Sequence, residues 1–316
     1  MKTRSRYILV FAAIIAILYA GYRIITRSRN AASAGGIAAP AVLDSAAIIN
    51  DLRYLASDTC EGRGPGSAGH EKAVERIASS MREAGLDSFG NQLVHPFTGK
   101  KINNTRSGKN IIGWIKGTVH PEKYIVISAH YDHLGIAGGK IYYGASDNAS
   151  GTACLLGMAG YFKQNPQPYS LIFAAFDREE TRMEGAYHFI DSLPAPLTLS
   201  AISMNLNVDM ITRNDNREVF ICGLYHYPSF GYVFDTLKAH TTMKLLKGHD
   251  GGDRYDDWTT QSDHFAFHIR KIPFLYIGVE DHPDYHKPTD TFDKTDCGSY
   301  IETCNMIVLL TKLLKP

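Results

Sequence analysis

The stretch FDREETRMEGAYHF, residues 176–189, sets two glutamates side by side, Glu179 and Glu180, directly behind the strand-like apolar run SLIFAAF. Adjacent carboxylates repel each other, and at the end of a buried strand little water screens them. A compensating positive charge is therefore expected beside them. The pattern of an apolar run that ends in carboxylates or imidazoles occurs at three more places. KYIVISA is followed by His130, Asp132 and His133, ISMNLNV by Asp209, and IPFLYIGVE by Asp281, His282, Asp284 and His286. One more carboxylate, Asp147, lies in GASDNASGTA, on a loop that opens a helix.

Carboxylates and imidazoles without thiolates are the ligand set of zinc in catalytic sites, where the ion keeps an open position. A bridging aspartate is the usual means of holding two such ions about 3.5–4 Å apart. Asp147, Glu179, Glu180 and Asp209 carry four negative charges between them, which two divalent ions would neutralise. One glutamate of the pair can then bind metal while its neighbour faces the activated water. Each residue taken singly has a plainer explanation: Asp147 suits a helix N-cap, and the glutamates would complement a helix dipole. His133, His264 and His282 read as loop neighbours of the ligands rather than as ligands. Convergence at one edge is what favours the metal reading.

Such convergence makes demands on the elements. In open parallel sheets, ligands bind beyond the carboxyl ends of the strands. NIIGWIKG, KYIVISAH, SLIFAAF, LSAISMNLNVDM, EVFICG and KIPFLYIGVE read as strands. GHEKAVERIASSMREAGL predicts a helix near residues 69–85, and SGTACLLGMAGYF, GAYHFIDSL and CGSYIETCNMIVLLTKLL predict three more. Strands separated by helices give an α/β three-layer sandwich, with a mixed, largely parallel central sheet and helices on both faces. LLKGHDGGDRYDDWTTQSDHFAF is rich in Gly and Asp and weakly periodic, so it reads as a functional loop.

In this order and spacing, AHYDHLG, GASDNASGTA, FDREETRMEGAYHF, NVDM and DYHKPTDT resemble the motif blocks of the co-catalytic di-zinc aminopeptidases of metallopeptidase clan MH, the bacterial leucyl-type aminopeptidases. Glutaminyl cyclase and glutamate carboxypeptidase are relatives in that clan. The resemblance spans roughly residues 52–296 and includes the lead-in LASDTCEGRGPGSAGHEKA. It implies a zinc-exopeptidase fold with two Zn2+ per chain: His130 and Asp209 on one, Glu180 and His286 on the other, Asp147 bridging. It also implies Glu179 as general base, Asp132 orienting the His130 ring, and Tyr285 polarising the scissile carbonyl. Two departures stand out: Ser146 where many members have Asp, and Arg178 where they have Gly before the glutamates.

The expected activity is hydrolysis of the N-terminal peptide bond of peptides with a free amino terminus. The alternative within enzymes is a glutaminyl-peptide cyclotransferase working with one zinc; a third reading is a non-catalytic binding module on a peptidase fold. Lys plus Arg at 33 against Asp plus Glu at 32 leaves a formal charge of +1, which gives no case for nucleic acid as partner. At 316 residues with 44% apolar composition, the chain has ample core for one catalytic domain, expected over 45–316. Residues 1–28 carry an apolar stretch from Tyr7 to Tyr22 between basic flanks and read as a signal peptide or signal-anchor, with 29–44 as a small-residue linker. Export to the periplasmic or extracellular side, with the N-terminal segment in the membrane, is the expectation. The five cysteines show no CxxC spacing, so a thiolate zinc site is disfavoured.

Overall fold

The computed structural model describes residues 43–99, 106–214, 216–252 and 256–316. The apolar N-terminal stretch and the linker up to residue 42 lie outside the described residues, and with them the expected membrane segment. Among the described residues no helix is long and apolar enough to cross a membrane.

The chain opens with α1 (Ser45–Leu55) and α2 (Ala68–Glu83), each started by a side-chain cap, Asp44 on the Ala47 N–H and Ser67 on the His70 N–H. There follow β1 (Val94–Gly99), β2 (Arg106–Ile115), β3 (His120–His130) and a short hairpin of β4 (Gly135–Ala137) and β5 (Lys140–Tyr142). α3 (Gly151–Gln164), β6 (Tyr169–Phe176), α4 (Glu184–Asp191), β7 (Ile202–Val208), β8 (Glu218–Cys222), α5 (Gly231–Lys238) and β9 (Lys244–Lys247) come next. α6 (His264–His268), β10 (Phe274–Gly278) and α7 (Cys297–Leu313) complete the order.

Among the described residues eight strands form one sheet in the order β1-β2-β6-β3-β7-β10-β8-β9. The four middle strands, β6, β3, β7 and β10, are mutually parallel. Antiparallel pairs lie on either side, β1 with β2, β2 with β6 and β10 with β8. The sheet is thus mixed, with its parallel part where the chemistry gathers. Strand side chains alternate between faces, and in β6 Leu171, Phe173 and Ala175 join the core under α1, α2, α3, α5 and α7. Ile172, Ala174 and Phe176 join the opposite core under α4 and α6. Being covered on both faces is why these strands read as continuous apolar runs.

Register fixes the rim. His130 stands opposite Phe176 on β6, and Val208 opposite Ile277 on β10, so all four parallel strands end nearly level. Whatever follows each strand therefore emerges at one edge.

All six expected strands and all four expected helices form. VHPFTG as β1 and SAAIINDLRYL as α1 are additions. The described residues of 248–263 carry no helix or strand, as their Gly and Asp content implies, and lead into the five-residue α6.

Candidate metal centre and active site

Asp147 lies at the middle of the cluster, on the irregular turn Ala145–Ser150 that leads into α3 and contains a cis Asp147–Asn148 peptide. Its Oδ1 is 3.3 Å from His130 Nε2, and its Oδ2 is 3.1 Å from His286 Nε2 and 3.6 Å from His133 Nδ1. Asp209 closes one side, with Oδ1 3.2 Å from His130 Nε2. Glu180 closes the other, with Oε2 3.5 Å from His286 Nε2 and Oε1 2.7 Å from His133 Nδ1. Two groups with the reach to hold an ion result, His130–Asp147–Asp209 and His133–Asp147–Glu180, and Asp147 belongs to both.

Neighbouring polar groups hold each of these side chains. The His130 Nδ1–H donates to the Asp132 carbonyl at 3.2 Å, which turns Nε2 toward the carboxylates. Asp132 Oδ1 accepts from the Glu179 N–H at 3.0 Å, so one buried aspartate touches both the β3 and the β6 exits. The Ser262 hydroxyl donates to Asp209 Oδ2 at 2.8 Å. The Asn148 amide joins the Asp147 turn to the β7 exit, donating to the Val208 carbonyl and accepting from the Met210 and Gly151 N–H groups. Buried Asp290 accepts from the Ser146 and Asp147 N–H groups.

The charges respond to this crowding. Burial works against a charge on His130, but the carboxylates of Asp209 and Glu179 outweigh it and hold the imidazole well above its ordinary range. Nε2 itself lies between Asp147 and Asp209, 3.3 and 3.2 Å from their oxygens, where a divalent cation would find all three donors. Burial likewise opposes ionisation of Asp147, and His133, His130 and His286 overcome it, holding the carboxyl well below its usual range. Glu179 goes the other way: burial, only partly offset by His130 and reinforced by Asp263, Asp209 and Glu180, pushes it well above the carboxylate range. Tyr285 is pushed up by burial and by the carboxylates of Asp147, Asp209 and Glu180. Imidazole nitrogens and carboxylate oxygens on side chains that are buried except for half-buried Glu180 and exposed His286, with an excess of negative charge, fit a divalent ion such as zinc.

A small cleft of about 50 Å3 opens onto this cluster, lined by His130, Asp147, Glu179, Asp209, Tyr285 and His286 on the polar side and by Met210, Trp258, Tyr276 and Val279 on the apolar side. Tyr285 stacks on His286, with ring centroids 3.9 Å apart. His130, Asp147, Glu180, Asp209 and His286, all singled out in the sequence, thus meet, with Glu179 and Tyr285 in the same cleft and Asp132 behind them.

Three residues have roles that sequence reasoning missed. His133, read as a loop neighbour, has its ring nitrogen as close to Glu180 as any imidazole in the cluster. Asp263 is fully buried with neither carboxylate oxygen hydrogen-bonded among the described residues, and burial pushes its carboxyl well above the usual range, as it does Glu179 beside it; the run QSDHF beside an irregular loop gave no periodic signal for it. Arg63 lies in the lead-in, where only its burial in the fold reveals it. Asp284 stays outside the cluster and pairs instead with Arg213 and Lys294 at 2.8 and 2.6 Å. His264 accounts for itself through the Trp258 carbonyl, 3.0 Å from Nε2.

The profile of peptidase family M28 matches residues 110–311. Among curated relatives, the aminopeptidase YwaD of Bacillus subtilis is 28% identical over 204 residues, covering 61% of this chain and 42% of that protein. The chain spans less than half the length of the curated relatives it matches. A solved zinc aminopeptidase from Bacillus subtilis superposes with a TM-score of 0.66 at 18% identity, over 85% of this chain and 94% of that one. A glutaminyl cyclase from Porphyromonas gingivalis superposes with a TM-score of 0.68 at 15% identity, over 85% and 98%. At such identities the two superpositions establish the α/β fold and no more.

Proposed function

Since the chain belongs to peptidase family M28, we propose that it is a zinc-dependent aminopeptidase that releases the first residue of peptides with a free amino terminus. The observation that carries the reading is the carboxylate of Asp147, whose two oxygens face two separate sets of imidazoles and carboxylates. On this reading His130 and Asp209 would hold one ion, Glu180 and His286 the other, with Asp147 shared between them. What zinc supplies when bound is Lewis acidity, which acidifies water and polarises a carbonyl.

The chain's own residues supply the rest. Glu179 is the general base: it takes a proton from the attacking water and hands one to the departing amine. Its buried carboxyl holds protons more tightly than an ordinary carboxylate, the charge of His130 offsets this only in part, and cations on the neighbouring ligands would lower that affinity further. Asp132 keeps the His130 ring turned and fixes the Glu179 backbone through one carboxylate and one carbonyl. Tyr285, kept neutral by its surroundings, donates its hydroxyl proton as a hydrogen bond to the carbonyl oxygen as charge develops there. On this reading the apolar wall of Met210, Trp258, Tyr276 and Val279 beside the cluster would meet the first side chain of the substrate.

Metal analysis of the purified protein, with a panel of aminoacyl substrates with and without chelator, tests this. Two zinc ions per chain and chelator-sensitive release of an N-terminal residue are expected. Glu179→Gln should keep the metal and lose turnover by at least about 100-fold; equal activity would remove Glu179 from its role. One zinc per chain with cyclisation of Gln-initiated peptides would replace the aminopeptidase by a cyclotransferase, and metal-free protein with no activity on any substrate would leave a binding module. Retention of the chain at a membrane through residues 1–28 belongs to the same proposal, and cell fractionation of the full chain checks it.

A further inference from the structure

Arg63 is fully buried, yet none of its donors reaches a carboxylate among the described residues. Instead its five N–H groups meet five backbone carbonyls. Nε donates to Tyr131 at 2.7 Å, Nη1 to Leu55 at 2.7 Å and Tyr143 at 2.8 Å, and Nη2 to Gly144 at 2.8 Å and Asp147 at 3.2 Å. The Arg63 carbonyl in turn accepts from the His133 N–H at 3.3 Å.

These partners are not scattered. Tyr131 lies between His130 and Asp132, His133 follows, and Gly144 and Asp147 begin and centre the turn that carries the shared carboxylate. One guanidinium thus ties the loop after β3 to the loop after β5, the two loops whose separation sets the distance from His130 and His133 to Asp147. The backbone is shaped for it: Glu61, Gly62 and Arg63 have φ of 48°, 67° and 53° in succession. At Gly62 a Cβ would stand 2.2 Å from the Tyr142 carbonyl oxygen, so only glycine allows the loop to come this close.

Burial of a cation with no ion partner is costly, and an arginine keeps its charge even so. The carbonyl dipoles and the charges of the Asp147, Asp290 and Asp132 carboxylates, none of which the guanidinium touches, offset part of that cost, and burial still lowers the arginine from its ordinary range. A lysine has three donors and no planar fork, and it cannot span the same carbonyls.

We propose that Arg63 is a positioning residue for the metal centre, holding the His130–His133 loop and the Asp147 turn at the separation that ligation needs. The inference rests on the zinc reading above. Arg63→Lys, purified as the full chain and shown folded by circular dichroism, is compared with the unaltered protein by competition with a chromogenic zinc chelator. Zinc dissociation constants should rise by at least about tenfold, as for loss of other groups that support metal ligands. They should rise more for the lysine variant than for Lys163→Met, a surface control. A folded lysine variant with unchanged zinc affinity overturns the proposal, whereas an unaltered chain that takes up no zinc overturns the zinc reading itself.

Should the lysine variant not fold, Arg63→Ala is titrated with millimolar ethylguanidinium or ethylammonium, and zinc is counted per folded chain recovered by gel filtration. Zinc uptake that follows ethylguanidinium alone supports positioning; uptake that is equal with both cations, or indifferent to both, overturns it.

Discussion

Tyr285 and His264 illustrate how burial keeps two rings uncharged for different tasks, helped at Tyr285 by the carboxylates around it. Tyr285 shares the cleft with Asp147, Glu179 and Asp209, and its environment keeps the phenol protonated. Tyr285→Phe removes one donor to a developing oxyanion and nothing from the metal ligands. Its kcat should fall by about 100-fold, while KM and zinc content stay near their original values in steady-state assays. His264 is held neutral: burial lowers it to about 3, with Nε2 spent on the Trp258 carbonyl. Its ordinary value is 6.5, so between pH 6.5 and 3 the unfolded chain binds the extra proton. The stability it contributes is whole above pH 6.5 and drains away as the pH falls through that window. Urea melts at pH 6, 5 and 4 should therefore show a shallower loss of stability for His264→Gln, by up to about 1.4 kcal/mol per pH unit. An identical slope in both proteins would remove His264 as the source. Most carboxylates and imidazoles of the cluster were legible in sequence because they shortly follow an apolar run, and Asp147 because it sits in a loop that opens a helix. His133, Asp263 and Arg63 were not, because their parts depend on which ring nitrogen or guanidinium edge faces which loop, and no spacing rule encodes that.

The strands were readable for a simple reason. Residues such as Leu171 to Phe176 are buried on both faces, so period and composition agree on a central strand. VHPFTG escaped because a Pro and a Gly in an edge strand look like a turn, and the register between strands, which levels their ends, involves partners distant in sequence. Between those ends the turn at residues 145–150 is the least regular piece of the site, and Asn148 is what fastens it. Its buried side chain makes three hydrogen bonds, to Val208, Gly151 and Met210, at 3.0, 2.9 and 3.2 Å. Asn148→Ala leaves a carbonyl and two N–H groups buried without these partners, which should cost about 3 kcal/mol. Because β7 and the turn carry Asp209 and Asp147, that loss should also weaken zinc binding. Denaturant melts followed by zinc titration separate the two effects, and a variant with full stability would show that water or backbone shifts replace the amide.

Export into an oxidising compartment, expected from the N-terminal residues, makes the cysteines informative about the whole molecule. All five thiols are free, and four of them, Cys60, Cys154, Cys222 and Cys304, are buried. Burial raises the Cys60 thiol, and burial together with the neighbouring Cys154 raises Cys304 well above its ordinary value. A thiol reacts as its thiolate and only where a reagent can reach it. The two helical layers that enclose the sheet therefore keep these four inert without needing a disulfide to stabilise them. Cys297, half-buried at the first position of α7, is the exception. Titration of the folded protein with a chromogenic disulfide reagent should show one fast thiol per chain, lost in Cys297→Ser. Five should appear once the chain is unfolded in guanidinium. Three after unfolding would mean that one pair had been oxidised, and several fast thiols in the native protein would mean that the layers open far more readily than their packing implies.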